Sequence, residues 1–287
     1  MQTFLLQLLN GLSYASVLYL VAVGLSLTYG VGGFLNLAHG SFYLLGAYLA
    51  LELADGPGFW VALAVAPLAV AAAAIVLDRL VLARYAGEHH AIEQMLLTFG
   101  LAFVLSDLML IQFGGRIQSL RAPSLLQGSV DLGVVRYPVY RLAVIGVGIV
   151  IAIGLWLVLR FTHAGVVIRT AAADADVAAS VGIDPRRVLT ATFAAGAALA
   201  AFGGVVGAPV VATSTGLDFT TLILALVVVV VGGLGSTTAT FWGAVLVGLV
   251  QSLGVVWAER WSAYVVYVLL AAVLIVRPQG LFVRARA

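Results

Sequence analysis

Residues 1–51 contain no aspartate, glutamate, arginine or lysine, and the first charged side chain is that of Glu52. A membrane-spanning helix needs about 20 predominantly apolar residues, so this stretch has room for two passes, at about 8–28 and 34–51. Further apolar intervals follow at about 59–77, 95–113, 142–159, 188–212, 219–235, 240–257 and 261–276. The pattern predicts a multi-pass membrane protein with about eight or nine spans.

The apolar intervals indicate helices rather than the strands of a membrane barrel. Barrel strands alternate polar and apolar residues, whereas these intervals are apolar throughout. With 63% hydrophobic and 9% charged residues, the chain cannot cover the surface of a water-soluble globule, for which about 25% charged residues is typical. We expect an all-α transmembrane helical bundle, a single domain over 1–287, with a broken or re-entrant helix after the first span.

Two absences and a small net charge narrow the range of possible functions. The chain has no lysine, and a P-loop requires a lysine that reaches the nucleotide phosphates, so the chain is not itself a P-loop ATPase. It has no cysteine, which excludes disulfides and cysteine-ligated metals, and a net charge of +2 does not indicate nucleic-acid binding. No cofactor or metal is expected in this chain. We interpret His89 and His90 as part of a solvated loop.

Small residues inside the spans predict close helix packing, because glycine and alanine let helix backbones approach each other in lipid. They occur at helical spacing as the sets Gly196 with Ala200, and Gly203 with Gly204 and Gly207. The cluster Gly232, Gly233, Gly235 and Ser236 lies between two predicted spans, where we expect a tight turn or a broken helix.

Arginine positions predict the orientation in the membrane. Nine of the fourteen arginines lie in 78–94, 160–187 and the C-terminal tail, which places these segments in the cytoplasm by the positive-inside rule. Segment 114–141 carries four more arginines, but alternation of the spans puts it outside. The N-terminus is then external unless 34–51 is re-entrant.

Segment 160–187 is a polar loop with its own helical pattern. Ala173, Val177 and Val181 recur at the spacing of one helix face, which predicts a short surface helix up to Val181. Gly182 is placed to end that helix. The pair Asp184-Pro185 is typical of a helix start, with an N-cap followed by proline at the first helical position.

Four stretches together resemble the shorter of the two permease types in bacterial branched-chain amino acid ABC importers. They are GLSLTYGVGGFLNLAHGSFYLLGAYLA (24–50), IRTAAADADVAASVGIDPRRV (168–188), VGGLGSTTATFWGAVLVGLVQSL (231–253) and RPQGLF (277–282). The chain departs from the family at Ser41, where many relatives carry an acidic residue, and at Ala173, where many carry glutamine.

The resemblance implies a permease subunit in the bacterial inner membrane that moves branched-chain or related small amino acids. Its implied partners are a second permease, two ATPases that bind and hydrolyse ATP, and an extracytoplasmic binding protein. ATPase coupling is then expected from residues of the polar loop: Arg169, Asp174, Asp176, Gly182, Ile183 and Asp184. A translocation pathway is expected to be lined by residues that follow the first span and by polar residues of that span. The first group is Asn36, His39 and Gly40, and the second is Ser13, Tyr14 and Ser16.

Other functions stay open at this point. The same permease type resembles carriers of urea and short amides, and pairing with itself or with a paralogue is undecided. Asp107 interrupts the apolar run LAFVLSDLMLIQF, either as a structural group or as the coupling carboxylate of an ion-driven secondary transporter. An intramembrane hydrolase built on Ser13 and His39 lacks a nucleophile-elbow context, so we expect no enzyme activity.

Overall fold

The computed structural model describes residues 2–54, 56, 58–82, 91–131, 133, 135–257 and 259–282. Within them the chain forms eleven α-helices and one short hairpin. The helices are α1 (Gln2–Gly32), α2 (His39–Ala54), α3 (Phe59–Leu80), α4 (Ala91–Phe113), α5 (Val139–Phe161), α6 (His163–Ala173), α7 (Ala175–Ser180), α8 (Pro185–Gly207), α9 (Leu217–Gly232), α10 (Thr237–Trp257) and α11 (Ser262–Val276). Strands β1 (Ser129–Asp131) and β2 (Arg136–Pro138) pair antiparallel, with Val130 opposite Tyr137.

The helices confirm the predicted transmembrane bundle. Six of the described helices are long and apolar enough to cross a membrane, namely α1, α3, α4, α5, α8 and α10. Two shorter apolar helices lie at Leu217–Gly232 and Tyr264–Val276. The predicted number of eight or nine spans is therefore approximate, because α2 and α9 are 16 residues long and both follow irregular segments.

Side-chain contacts show which helix ends share a face of the bundle. At one face, Asn10 near the start of α1 accepts hydrogen bonds from Tyr137 (3.2 Å) and Arg141 (2.5 Å), beside the hairpin. Burial raises the pKa of Tyr137, and the Arg141 guanidinium opposes that shift. We call this side the hairpin face. The opposite side carries α6 and α7 and is called the loop face; there Gly32, at the end of α1, lies against Leu189 of α8.

Helix α2 runs to the hairpin face and is not re-entrant. Its last turn, with Leu51 and Glu52, lines a cavity of about 700 Å³ together with Gln118 and Arg121 of the segment that follows α4. The start of α1 and the tail as far as Phe282 lie on opposite faces. The tail returns to the loop face, because Leu281 and Phe282 donate backbone hydrogen bonds to Val231 (2.9 Å) and Gly232 (3.1 Å) at the end of α9.

Helices α1 to α4 and α8 to α11 form an inverted repeat that the sequence analysis did not detect. Helices α2 and α9 have equal lengths, and the same number of residues separates each from the start of the next helix, α3 or α10. Helix α1 packs along α10 as α8 packs along α3, and α1 contacts α9 as α8 contacts α2. Because α1 and α8 run in opposite directions, the two halves have inverted topology, as in many transporters.

Glycines form the crossing of α1 and α8 at the centre of the bundle. A Cβ on Gly24 would lie 2.5 Å from the carbonyl oxygen of Gly196, and a Cβ on Gly196 would lie 2.6 Å from that of Gly24. On the next turns of α8, a Cβ on Gly204 would meet the backbone oxygen of Tyr43 in α2. The predicted packing role of the small residues is confirmed.

The glycine cluster after α9 forms the predicted tight turn. Gly233 and Gly235 have φ angles of 130° and 75°, which residues with a side chain rarely adopt. Gly280 of the tail lies against Gly233, where an added Cβ would be 2.6 Å from its Cα. The motif RPQGLF thus closes over the end of α9 on the loop face.

Candidate functional site

The segment between α1 and α2 contains a buried polar side chain, that of Asn36. Gly33 has a φ of +68° and turns the chain out of α1. The fully buried Asn36 accepts a hydrogen bond from the N–H of Ala38 at 3.1 Å, and the N–H of Leu37 donates to the hydroxyl of Thr98 in α4 at 3.1 Å. Side chains therefore satisfy backbone groups that the break exposes, as an irregular segment in a membrane requires.

His39 is the first residue of α2 and is fully buried. Its Nε2 lies 2.9 Å from the carbonyl oxygen of Val21 in α1. Because a carbonyl only accepts, Nε2 carries the proton and Nδ1 is the acceptor, and Nδ1 has no partner within the described part of the chain. Gly24 gives the imidazole its space, since a Cβ there would lie 2.9 Å from Nε2.

A second polar pair joins α2 to α9. The hydroxyl of Ser41 donates to Asp218 Oδ2 at 3.3 Å, and Asp218 is 1% exposed. A Cβ on Gly40 would meet the backbone oxygen of Asp218, so Gly40 allows α2 and α9 to touch. Asp218 lies one residue before the predicted span 219–235 and was therefore not predicted as a site residue. Its place two residues after Gly216 is the signal in the sequence that could have marked it.

The polar positions predicted on α1 are scattered rather than gathered at one cavity. Ser13 is 1% exposed, Tyr14 packs partly buried against the core, and Ser16 donates to the carbonyl of Leu12 at 2.9 Å. A Cβ on Gly148 of α5 would lie 2.6 Å from Ser16, so Ser16 faces α5. Asn36, His39 and Gly40 are neighbours in the chain. The structure does not bring the three residues of α1 next to them. A role in translocation stays a prediction for all six.

The polar loop forms two helices instead of the single predicted one. Helix α6 ends at Ala173, and Asp174 then caps α7 by accepting hydrogen bonds from the N–H groups of Asp176 (2.9 Å) and Val177 (3.0 Å). The prediction of a continuous helix through Asp174 is therefore wrong. An aspartate that bonds two backbone donors outweighs the helix propensity of the surrounding alanines.

The start and end signals around Gly182 are confirmed. Gly182 has a φ of +84°, and the N–H of Ile183 donates to the carbonyl of Ala178 at 3.0 Å, which closes the end of α7. Asp184 caps α8 by accepting from the N–H groups of Arg186 (3.0 Å) and Arg187 (3.3 Å). These two aspartates thus have structural roles as helix caps.

One face of the loop helices packs inward and the other is exposed. Ala171 and Ala178 are buried with Val188 of α8, and Val31 at the end of α1 packs against them. On the outer side, Val177 is 53% exposed and Val181 is 66% exposed. Arg169, Asp174 and Asp176 are also exposed, whereas Ile183 is half-buried. The loop helices therefore contact both α1 and α8 and present apolar side chains to the outside.

The structure gives no indication of a metal centre in the part that it describes. Among the described residues, no group of three or more histidine, aspartate or glutamate side chains is placed to hold a metal ion. His89 and His90 lie outside the described residues.

Comparison with known proteins agrees with this architecture. The family model described as "Branched-chain amino acid transport system / permease component" matches residues 7–276. The chain belongs to this family. It is 27% identical to the high-affinity branched-chain amino acid transport system permease protein BraD of Pseudomonas aeruginosa, over 98% of this chain and 96% of BraD. It is also 27% identical to LivH of Escherichia coli K12, over 98% and 96% of the two chains.

A second permease of the Escherichia coli system is also similar. The chain is 28% identical to LivM, over 94% of this chain and 69% of LivM. The family is one of transport permeases rather than enzymes. With six long apolar helices, this family member is a multi-pass protein of the bacterial inner membrane.

Replacing His39 by alanine separates a packing role from a translocation role. The variant loses a hydrogen bond and leaves a cavity in the core, which we expect to cost about 2–4 kcal/mol of folding free energy. Thermal stability of the detergent-extracted permease measures this loss, with the exposed His163→Ala variant as the control. We expect uptake per assembled complex to fall as well, as the predicted translocation role of His39 requires. Uptake near wild type would remove His39 from the translocation path and leave it a packing role alone.

Proposed function

We propose that this chain is one of two permease subunits of an ABC importer for branched-chain or related small amino acids. The observation that carries the proposal is the family match over residues 7–276, with relatives named as branched-chain amino acid permeases along nearly their whole length. Urea and short amides, which permeases of this type also carry, are the alternative substrates.

Partner subunits supply the energy in this proposal. The chain has no lysine, so the P-loops that bind ATP must belong to separate ATPases, and this chain itself needs no cofactor. The loop helices α6 and α7 are the proposed docking element, because Val177 and Val181 are exposed on them. The loop face is then cytoplasmic, in keeping with the arginines of this loop.

The packing of the loop helices supports a route for the coupling motion. Ala171 and Ala178 contact Val31 of α1 and Val188 of α8, so displacement of α6 and α7 acts on both helices of the central glycine crossing. Alternating access in inverted-repeat transporters moves one bundle against another around a central site. An extracytoplasmic binding protein delivers the substrate at the hairpin face.

The composition of the native complex tests the proposal. The chain is tagged and its membranes are extracted in mild detergent, and the co-purifying proteins are identified and quantified by mass spectrometry. We expect a second permease and two P-loop ATPases for each pair of permeases. Recovery of this chain alone, or only with copies of itself, would overturn the proposal and favour an ion-coupled transporter. An untagged strain extracted in parallel is the control for non-specific recovery.

A further inference from the structure

Asp107 is an exposed carboxylate in the membrane-spanning part of α4. It lies six residues before Phe113, the end of the helix, which is about 9 Å along the axis at 1.5 Å per residue. Its exposed neighbours on α4 are apolar, with Phe103 48% exposed and Ile111 81% exposed. The carboxylate therefore stands in the half of the membrane nearest the hairpin face.

Contact with lipid would be unfavourable for the Asp107 carboxylate. No residue in the described part of the chain forms a hydrogen bond or ion pair with it. A charged side chain inside a transmembrane helix is costly to expose to lipid, and such groups usually face a cavity or a partner. By comparison, the exposed stretch of α5 from Ile149 to Val158 carries no charged residue, which is typical of a lipid-facing surface.

The neighbours of the negatively charged Asp107 on the exposed surface are mostly apolar side chains. One turn before it, the ring of Phe103 packs against Phe219 of α9 with centroids 5.1 Å apart. Thr220 is exposed next to Phe219, and Ile223 is 44% exposed one turn later. A Cβ on Gly100 would have open space around it. This surface of α4 and α9 is thus suited to a small molecule with a cationic group and an apolar side chain.

We propose that the α4–α9 surface lines the translocation path and that Asp107 receives the ammonium group of a zwitterionic amino acid. The apolar side chain of the substrate then packs on Phe103 and Ile111. This inference rests on the proposed function and adds a substrate-contacting residue to it. It also explains a carboxylate in an otherwise apolar helix face, since a water-filled path removes the cost of placing it in lipid.

Accessibility to water is the first test, and the absence of cysteine from the chain allows single-cysteine variants without further replacement. Asp107→Cys and Ile111→Cys are compared with Leu157→Cys, which is at a 44% exposed position of α5. Complexes in proteoliposomes receive a charged, membrane-impermeant thiol reagent, and labelling of this chain is read by mass spectrometry. We expect labelling at 107 and 111 but not at 157. Labelling of none of the three would overturn the inference.

Uptake by charge variants is the second test. In proteoliposomes with the complete complex and its loaded binding protein, we expect Asp107→Glu to retain most leucine uptake. Asp107→Asn and Asp107→Leu should each lose about tenfold or more, because a hydrogen bond to a charged group contributes about 1.5–3 kcal/mol. ATPase activity and subunit stoichiometry should be retained. The matched control Asp131→Asn, in the exposed hairpin, should transport normally.

Three outcomes contradict the inference without touching the proposed function. Wild-type uptake by Asp107→Leu would place this surface in lipid. Loss of the second permease from Asp107→Leu complexes would make Asp107 an interface residue. A loss of uptake in Asp107→Glu as large as that in Asp107→Asn would show that the negative charge is not what transport requires here. Failure of the wild-type complex to transport any amino acid would instead overturn the proposed function, while cysteine labelling would still report whether the surface faces water.

Discussion

Substitution of both Val177 and Val181 by aspartate is expected to reduce amino acid uptake at least about tenfold while the amount of permease in the membrane stays unchanged. Both side chains are more than half exposed, so the permease itself loses no core packing. If the two valines are buried against an ATPase, each contributes about 1.5–3 kcal/mol to docking, and about 1.4 kcal/mol corresponds to a tenfold change in affinity.

The same pair of positions provides the control. Val177→Leu with Val181→Leu keeps an apolar surface and should retain both uptake and ATPase recovery. The aspartate variant should release the ATPases during purification, measured by their stoichiometry to this chain. Normal uptake and normal ATPase stoichiometry in the aspartate variant would exclude this surface as the docking site.

Much of the bundle follows from the sequence because lipid imposes simple rules. A spanning helix must be long and apolar, so α3, α4, α5, α9 and α10 were predicted to within four residues at each end. The start of α2 and the end of α8 were each missed by five residues. An irregular segment adjoins each of these two ends inside the apolar run, and hydropathy does not distinguish such a segment from helix.

In the loop helices, the helix propensity of alanine competes with helix capping by aspartate. Alanines around Asp174 favour one continuous helix, and the predicted helix therefore continues to Val181. The Asp174 carboxylate bonds two backbone N–H groups at 2.9 and 3.0 Å and starts a new helix instead. The end at Gly182 and the start at Asp184 were predictable, because a glycine with positive φ and an aspartate before proline act through local geometry alone.

Tertiary contacts account for what the sequence could not reveal about the candidate site. Asp218 is buried only because α2 approaches α9 at Gly40, and the hydroxyl that bonds it belongs to Ser41, far away in the chain. The inverted repeat likewise becomes visible from the lengths of the helices and the contacts between them. His39 is buried against Val21 and Gly24 of α1, so its polar character alone did not distinguish a path from a core.

Replacing Gly196 by leucine is expected to abolish recovery of folded permease, and Gly196→Ala should lower its thermal stability. A Cβ at 196 lies 2.6 Å from the backbone oxygen of Gly24 and 2.8 Å from the hydroxyl of Thr28. Because both helices are packed on several sides, α1 and α8 cannot separate without breaking other contacts. Overpacking of this kind costs about 1–3 kcal/mol for small additions, and leucine adds much more volume than alanine.

Gly146 offers a matched control, because it is also a helix-interior glycine but a Cβ added there would meet nothing within 4 Å. Gly146→Ala should leave thermal stability unchanged or raise it, since alanine is favoured over glycine in a helix by about 1 kcal/mol. Size-exclusion chromatography of detergent extracts after heating measures both variants. The glycine-to-alanine substitution is thus expected to change thermal stability in opposite directions at the two positions. Equal melting temperatures of Gly196→Ala and Gly146→Ala would contradict the glycine crossing as the centre of the bundle.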